Sequence, residues 1–285
     1  MYALQVEGLT KHYPGFTLRD VSFSLEPGYI MGFIGRNGAG KTTTIKSILN
    51  IIHRDAGYVS VFGQDALEQE KAVKGQVGLV LGGVNYYPKK KLKTIAQVTS
   101  RFYENWDREA FCQLLEQFEL DENKTVSQLS SGMRVKFAIA LALAHRPKLL
   151  ILDEPTSGLD PVSRDEILEI LQRLVESGER SILFSTHITS DLEKCADYIT
   201  YIKKGEIVFS LDRETLEDRY WVVSGGIDAL TPALEQTFVG TKKNRYGFSA
   251  LVERTQAPDG FTLTKPTYED IMIHLEREDE HEFAF

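Results

Sequence analysis

The chain has little with which to staple itself: two cysteines in 285 residues, Cys112 and Cys195, neither at a redox or metal-ligand spacing. A disulfide scaffold and a thiolate metal centre are excluded, and a reducing compartment is expected. Long apolar runs are missing too, with none approaching the roughly 20 residues that span a bilayer. The opening Met1-Tyr2-Ala3-Leu4-Gln5 lacks the charged-then-apolar order of a signal segment, so any membrane association is expected through a partner. Positive charge is in deficit, with 33 lysines and arginines against 41 aspartates and glutamates and a net charge of -8. Such a surface suits phosphate backbones poorly, and no nucleic-acid partner is expected. Internal repeats and low-complexity tracts are also lacking. What remains, 42% hydrophobic and 26% charged residues, is the composition of a folded, water-soluble chain. Its length allows one large domain or a domain with an appendage.

Within this ordinary composition, Gly35-Arg36-Asn37-Gly38-Ala39-Gly40-Lys41-Thr42 fits the phosphate-binding pattern G-x-x-x-x-G-K-[ST]. The apolar run Tyr29-Ile30-Met31-Gly32-Phe33-Ile34 before it reads as a buried strand, and Ile45, Ile48, Leu49 and Ile52 behind it recur at helical spacing. Strand, loop and helix follow in the order such a loop needs. Glycines let backbone N–H groups turn toward an anion, and the helix N-terminus adds partial positive charge. Gly35, Asn37, Gly38, Ala39, Gly40, Lys41, Thr42 and Thr43 are therefore the candidate contacts for a nucleoside triphosphate, with Lys41 reaching the β- and γ-phosphates. The Thr42 hydroxyl is a candidate ligand of Mg²⁺, which takes a few protein oxygens and keeps phosphates and waters.

The rest of the pattern predicts an α/β architecture. Leu18 to Leu25 alternates as a half-buried strand of an antiparallel sheet, and short strands are expected at Gly57–Gly63 and Val77–Leu81. Residues 89–146 read as mostly helical, with Met133, Phe137, Ala140, Leu141 and Ala144 on one face and Arg146-Pro147 as a stop. Apolar strands at Leu149–Leu152 and Ser181–Phe184 flank a helix through Ile167, Leu168, Leu171 and Leu174, a parallel β-α-β unit. A hairpin turns at Lys203-Lys204-Gly205-Glu206, and the core is expected to end near residue 211. Beyond it lie two strand signals, Tyr220–Val223 and Phe248–Val252, and a helix start at Pro266-Thr267 with Asp270 completing a capping box. The strand Leu149–Leu152 runs into Asp153-Glu154, where strand alternation would send the two acids to opposite sides. Asp153 then suits the outer shell of Mg²⁺ and Glu154 the attacking water, as a general base.

Leu129-Ser130-Ser131-Gly132-Met133, Asp153-Glu154-Pro155, Ser157-Gly158-Leu159-Asp160 and Thr186-His187, in that order after the phosphate loop, resemble an ABC-type ATPase, the nucleotide-binding subunit of ABC transporters. The resemblance covers roughly residues 1–210. It implies a P-loop NTPase core with an antiparallel β subdomain and an inserted helical subdomain at about 85–148, together forming an ATPase domain over 1–211. Residues 212–285 are expected to form a small α+β accessory segment. It further implies a head-to-tail dimer around two ATP molecules, a separately encoded transmembrane permease, and a place on the cytoplasmic face of the membrane. On this reading Ser130, Ser131 and Gly132 meet the γ-phosphate of the facing subunit, Asp160 couples the two sites, His187 contacts the γ-phosphate and orients Glu154, and Tyr13 stacks on adenine. Within the family the chain is similar to exporters of the bacitracin and phenol-soluble-modulin groups. A soluble ABC ATPase acting on ribosomes or nucleic acid is the rival, usually marked by duplicated units, a long coiled coil or basic extensions, none present in this sequence.

The sequence departs from the family pattern twice. Ser131 and Met133 stand where the commonest signature has glycine and glutamine. The Mg²⁺-contacting glutamine expected after Val77-Gly78-Leu79-Val80 is absent, the chain reading Leu81-Gly82-Gly83, with Asn85 a candidate substitute. The segment Asn85-Tyr86-Tyr87-Pro88-Lys89-Lys90-Lys91 is where the family usually docks its membrane subunit.

Overall fold

The computed structural model describes residues 1–82 and 87–277. The chain divides into two compact units, Met1–Ser210 and one that begins at Leu211 and is described as far as Arg277. In the first, β1 (Leu4–Tyr13), β2 (Phe16–Leu25), β3 (Ile30–Ile34), α1 (Lys41–Ile48), β4 (Ala56–Val61), β5 (Gln64–Asp65), α2 (Glu70–Gln76) and β6 (Val77–Val80) lead into a helical stretch. That stretch holds α3 (Leu92–Thr99), α4 (Arg108–Gln117) and α5 (Ser131–Leu143), and the chain then returns through β7 (Leu149–Asp153), α6 (Pro161–Val175), β8 (Ser181–Thr186), α7 (Thr189–Cys195), β9 (Tyr198–Lys203) and β10 (Glu206–Asp212).

Two sheets carry this unit. A six-stranded sheet runs β10-β9-β3-β8-β7-β6, with β3 parallel to both β8 and β9, and β7 parallel to both β6 and β8. Every residue of β3, β7 and β8 is buried, as central strands covered on both faces require. A four-stranded antiparallel sheet, β2-β1-β4-β5, lies over one face. Its inward residues Leu4, Val6, Leu9, Val21 and Phe23 share a core with Met31 and Phe33 of β3, Ile45 and Ile48 of α1, and Leu149 and Ile151 of β7. Each such side chain stabilises the fold by about 1.5–3 kcal/mol relative to exposure. On the other face Gly32 alternates with Met31 and Phe33, and a Cβ there would sit 2.1 Å from Leu192 Cδ2, so glycine admits α7.

The helix behind the phosphate loop is shorter than the spacing predicts. It ends at Ile48, because Leu49 caps it and Asn50 takes φ 53°, leaving Ile52 outside the helix and half-buried. Helix α5 is apolar nearly all round and is accordingly buried from Phe137 to Leu143. In the second unit α8 (Arg213–Arg219), β11 (Tyr220–Gly225), α9 (Pro232–Glu235), β12 (Val239–Asn244), β13 (Gly247–Glu253), β14 (Thr262–Thr264) and α10 (Tyr268–Arg277) form an α+β fold on an antiparallel sheet, β12-β13-β11-β14. The expected capping box is present: Thr267 N–H donates to Asp270 Oδ2 at 3.0 Å and Asp270 N–H to Thr267 Oγ1 at 3.1 Å.

Candidate nucleotide site

The C-terminal ends of β3, β7 and β8, neighbours in the order β3-β8-β7, deliver the phosphate loop, the acid pair and His187 to one edge of the sheet. Ligands of open α/β sheets bind at this edge. The loop backbone is fixed from below. Gly35 packs so closely that a Cβ would fall 2.4 Å from Ile202 O, and Gly205 N–H donates to Ala39 O at 2.9 Å. Gly40, at φ 117°, caps α1 in a conformation that L side chains rarely adopt. Arg36, Asn37, Gly38 and Thr42 are exposed, Thr43 is half-buried, and the Lys41 side chain is buried. The Lys41 ammonium donates to Gly35 O at 2.6 Å, so the lysine curls back over its own loop.

Asp153 and Glu154 separate by a different device from strand alternation. Asp153 is the last residue of β7, whereas Glu154 leaves the strand in the left-handed region at φ 52°, its N–H donating to Ser185 Oγ at 2.9 Å. Asp153 is buried and accepts from Thr42 Oγ1 at 2.8 Å and Ser185 Oγ at 2.6 Å. Glu154 Oε2 lies 2.7 Å from His187 Nδ1, and Oε1 lies 3.0 Å from Lys41 Nζ, an ion pair not aligned as a hydrogen bond. One carboxylate thus faces an imidazole and an ammonium. Ser185, which ties both acids together, was not legible in the sequence. Its signal is the Ser-Thr-His run at a strand end, where a hydroxyl two residues before the histidine shares its side of the strand.

Tyr13 is 40% exposed at the end of β1, and its cross-strand partner Phe16 lies, with Leu18, against Gly40 of the loop. The Lys11 ammonium, helped by the His12 N–H, holds the Asp55 carboxyl well below the usual carboxylate range and pins this hairpin. Ser130 caps α5, its Oγ accepting from Met133 N–H at 3.2 Å, and both Ser130 and Ser131 are exposed. Gly132 is buried against α6, where a Cβ would come within 2.9 Å of Ser163. Its lack of a side chain therefore serves the close approach of two helices within the chain. Asp160 caps α6, accepting from Val162 and Ser163 N–H, and the Ser163 hydroxyl and these N–H groups lower its carboxyl.

Where the missing glutamine would stand, a Cβ on Gly82 would fall 2.7 Å from Asp153 O, so this backbone has closed into the space a side chain would need. Asn85 and Tyr86 lie outside the described residues. Two side-chain oxygens, Thr42 Oγ1 and Asp153 Oδ2, are left facing each other, a donor set that suits a hard cation completing its shell with phosphate and water. The buried histidines have structural partners. His145 Nε2 donates to Val77 O at 3.1 Å, and burial lowers its pKa, while His274 Nδ1 donates to Gly240 O at 2.7 Å.

A family model described as ABC transporter matches residues 18–157. The ABC transporter ATP-binding protein YtrB of Bacillus subtilis is 31% identical over 213 residues, 74% of this chain and 72% of YtrB. The bacitracin transport ATP-binding protein BcrA of Bacillus licheniformis is 31% identical over 219 residues, 76% of this chain and 72% of BcrA. Among solved structures, an ATP-binding subunit of an ABC transporter superposes with a TM-score of 0.66 at 27% identity, over 75% of this chain and 92% of that one. With the phosphate loop, the acid pair and His187 gathered at one sheet edge, these similarities place the chain in the ABC transporter family, among its ATP-binding ATPase subunits.

Proposed function

We propose that the chain hydrolyses ATP as a head-to-tail dimer and so drives a separate transmembrane permease that exports amphipathic peptides or drugs. The observation that carries the hydrolytic reading is Glu154 held between Lys41 at 3.0 Å and His187 at 2.7 Å, one residue beyond Asp153. Phosphoryl transfer is catalysed mainly by positioning and by charge stabilisation. Lys41 and the loop N–H groups hold the phosphates, and Tyr13 stacks on the adenine. Glu154 takes a proton from the attacking water at one carboxylate oxygen while His187 fixes the orientation of the other. The Thr42 hydroxyl and Asp153 would hold Mg²⁺, which when bound would supply charge neutralisation to the phosphates. From the facing subunit, Ser130, Ser131 and Gly132 offer a hydroxyl and a helix N-terminus to the γ-phosphate, and Asp160 links the two sites.

The permease reading is supported by surface away from the nucleotide site. Tyr87 and Lys89–Lys91 are exposed beside the residues left undescribed, and Phe102 is 79% exposed. An open groove of about 800 Å³ lies between α2 and residues 102–105, bridged by the Lys71–Glu104 ion pair. No described helix is long and apolar enough to cross a membrane. The export direction and substrate class rest on similarity to BcrA and its kind. Solubilised membranes of cells expressing the tagged full-length chain should yield it together with an integral membrane protein, whereas sedimentation with ribosomes would favour the rival reading.

A further inference from the structure

The turn that carries His187 is tied to the rest of the site through one buried carboxylate. Asp191, in the first turn of α7, is fully buried. Its Oδ2 accepts from Thr156 Oγ1 at 2.6 Å and from Thr186 Oγ1 at 3.0 Å, while Oδ1 pairs with Arg164 Nε at 2.5 Å. Arg164 also donates through Nη2 to Ser190 Oγ at 2.7 Å. Three segments meet on this side chain: Thr156 follows Glu154 by two residues, Arg164 follows Asp160 by four, and Thr186 immediately precedes His187. Leu192, the next residue, occupies the space that Gly32 leaves on β3, so α7 is seated on the sheet while Asp191 reaches sideways.

Burying a carboxylate with a guanidinium is a poor route to stability, because well-packed apolar residues of similar size do as well or better. What a fully hydrogen-bonded buried carboxylate supplies is direction, since each bond fixes one neighbour relative to the others. We propose that Asp191 is a positioning residue for hydrolysis: it holds the His187 turn against Glu154 and ties that pair to helix α6, whose cap is Asp160. This rests on the assignment of Glu154 and His187 to hydrolysis. Residues 187–190 between its two anchor points are too few to adopt that geometry independently of Thr186 and Asp191.

The test is steady-state ATP hydrolysis by the full-length chain and its variants Asp191→Asn, Thr156→Val, His187→Ala and the double variant Asp191→Asn/His187→Ala. Asp191→Asn should lower kcat about tenfold or more with KM for ATP within about twofold of wild type. Thr156→Val leaves the Arg164 pair intact and should show a smaller fall of the same kind, which keeps the test open should Asp191→Asn not fold. Adding Asp191→Asn to His187→Ala should cost nothing further, because residues acting through one another are not additive. Wild-type kcat in Thr156→Val, losses that multiply in the double variant, or a KM that rises as kcat falls would each overturn the proposal. Inactive His187→Ala beside normal Asp191→Asn would remove Asp191 alone, whereas normal His187→Ala would remove the hydrolytic assignment as well.

Discussion

Glu154 departs from the strand geometry that its position suggests, and its chemistry depends on that departure. At φ 52° its side chain leaves the line of β7 and reaches both Lys41 and His187, while Asp153 stays buried beneath Thr42. The identity of these residues was legible because the pattern is local: a loop of eight and a pair of acids after an apolar run. The left-handed turn was not, since no glycine or asparagine marks it. Thr42 and Asp153 are the two proposed ligands where the family pattern has a third in glutamine, and Gly82 has closed over that place. Thr42→Ala should therefore raise the Mg²⁺ concentration for half-maximal ATP hydrolysis by about tenfold, as loss of a group shaping a metal shell does. A Mg²⁺ titration that superposes on wild type would show that another residue supplies the ligand.

Helix termini shape the site as much as strand ends do. Ser130 caps α5, and its proposed second task is to offer its hydroxyl across the dimer. Ser130→Ala should cost about 1 kcal/mol as a lost N-cap, whereas Ser130→Gly should cost only a few tenths, and both should lose turnover equally if the hydroxyl meets the γ-phosphate. Urea midpoints set beside ATPase rates of the two variants check this. In α4 the Ala110 N–H, then the Arg146 guanidinium, hold the Asp107 carboxyl below its ordinary value of 3.8. A lowered carboxyl stabilises the fold above that ordinary value, and the contribution is lost as pH falls through the lower folded one. Asp107→Asn should therefore lower the urea midpoint at pH 7 and narrow its difference from wild type below about pH 4. The α5 and α6 patterns were readable from apolar spacing. By contrast, β12 with its exposed Lys242, Lys243 and Asn244, and the three-residue β14, carry no alternation to read. Asp191 escaped for a related reason, as its partners come from three distant segments.

The two compact units suggest separable labour. The second has its own small core, with Val223, Phe248, Ala250 and Val252 packed on Phe238, and α10 burying Tyr268, Ile271 and Leu275. We expect it to support dimerisation or regulation without touching ATP. A chain truncated after Leu211 should keep nucleotide affinity within about twofold while dimerising less or turning over differently, since ligand affinity follows the contacts retained. A truncated chain that stays folded by circular dichroism yet loses ATP binding would place part of the nucleotide site beyond residue 211.

Glu154 is the proposed base whose action ends the ATP-bound dimer. The most direct measurement follows Glu154→Gln by light scattering and by phosphate release in the presence of Mg²⁺ and ATP. ATP binding should be unchanged, turnover should fall by about 10²-fold or more as loss of a general base requires, and the dimer should persist while ATP is present. Turnover near the wild-type rate, or a chain that stays monomeric with ATP bound, would contradict that role.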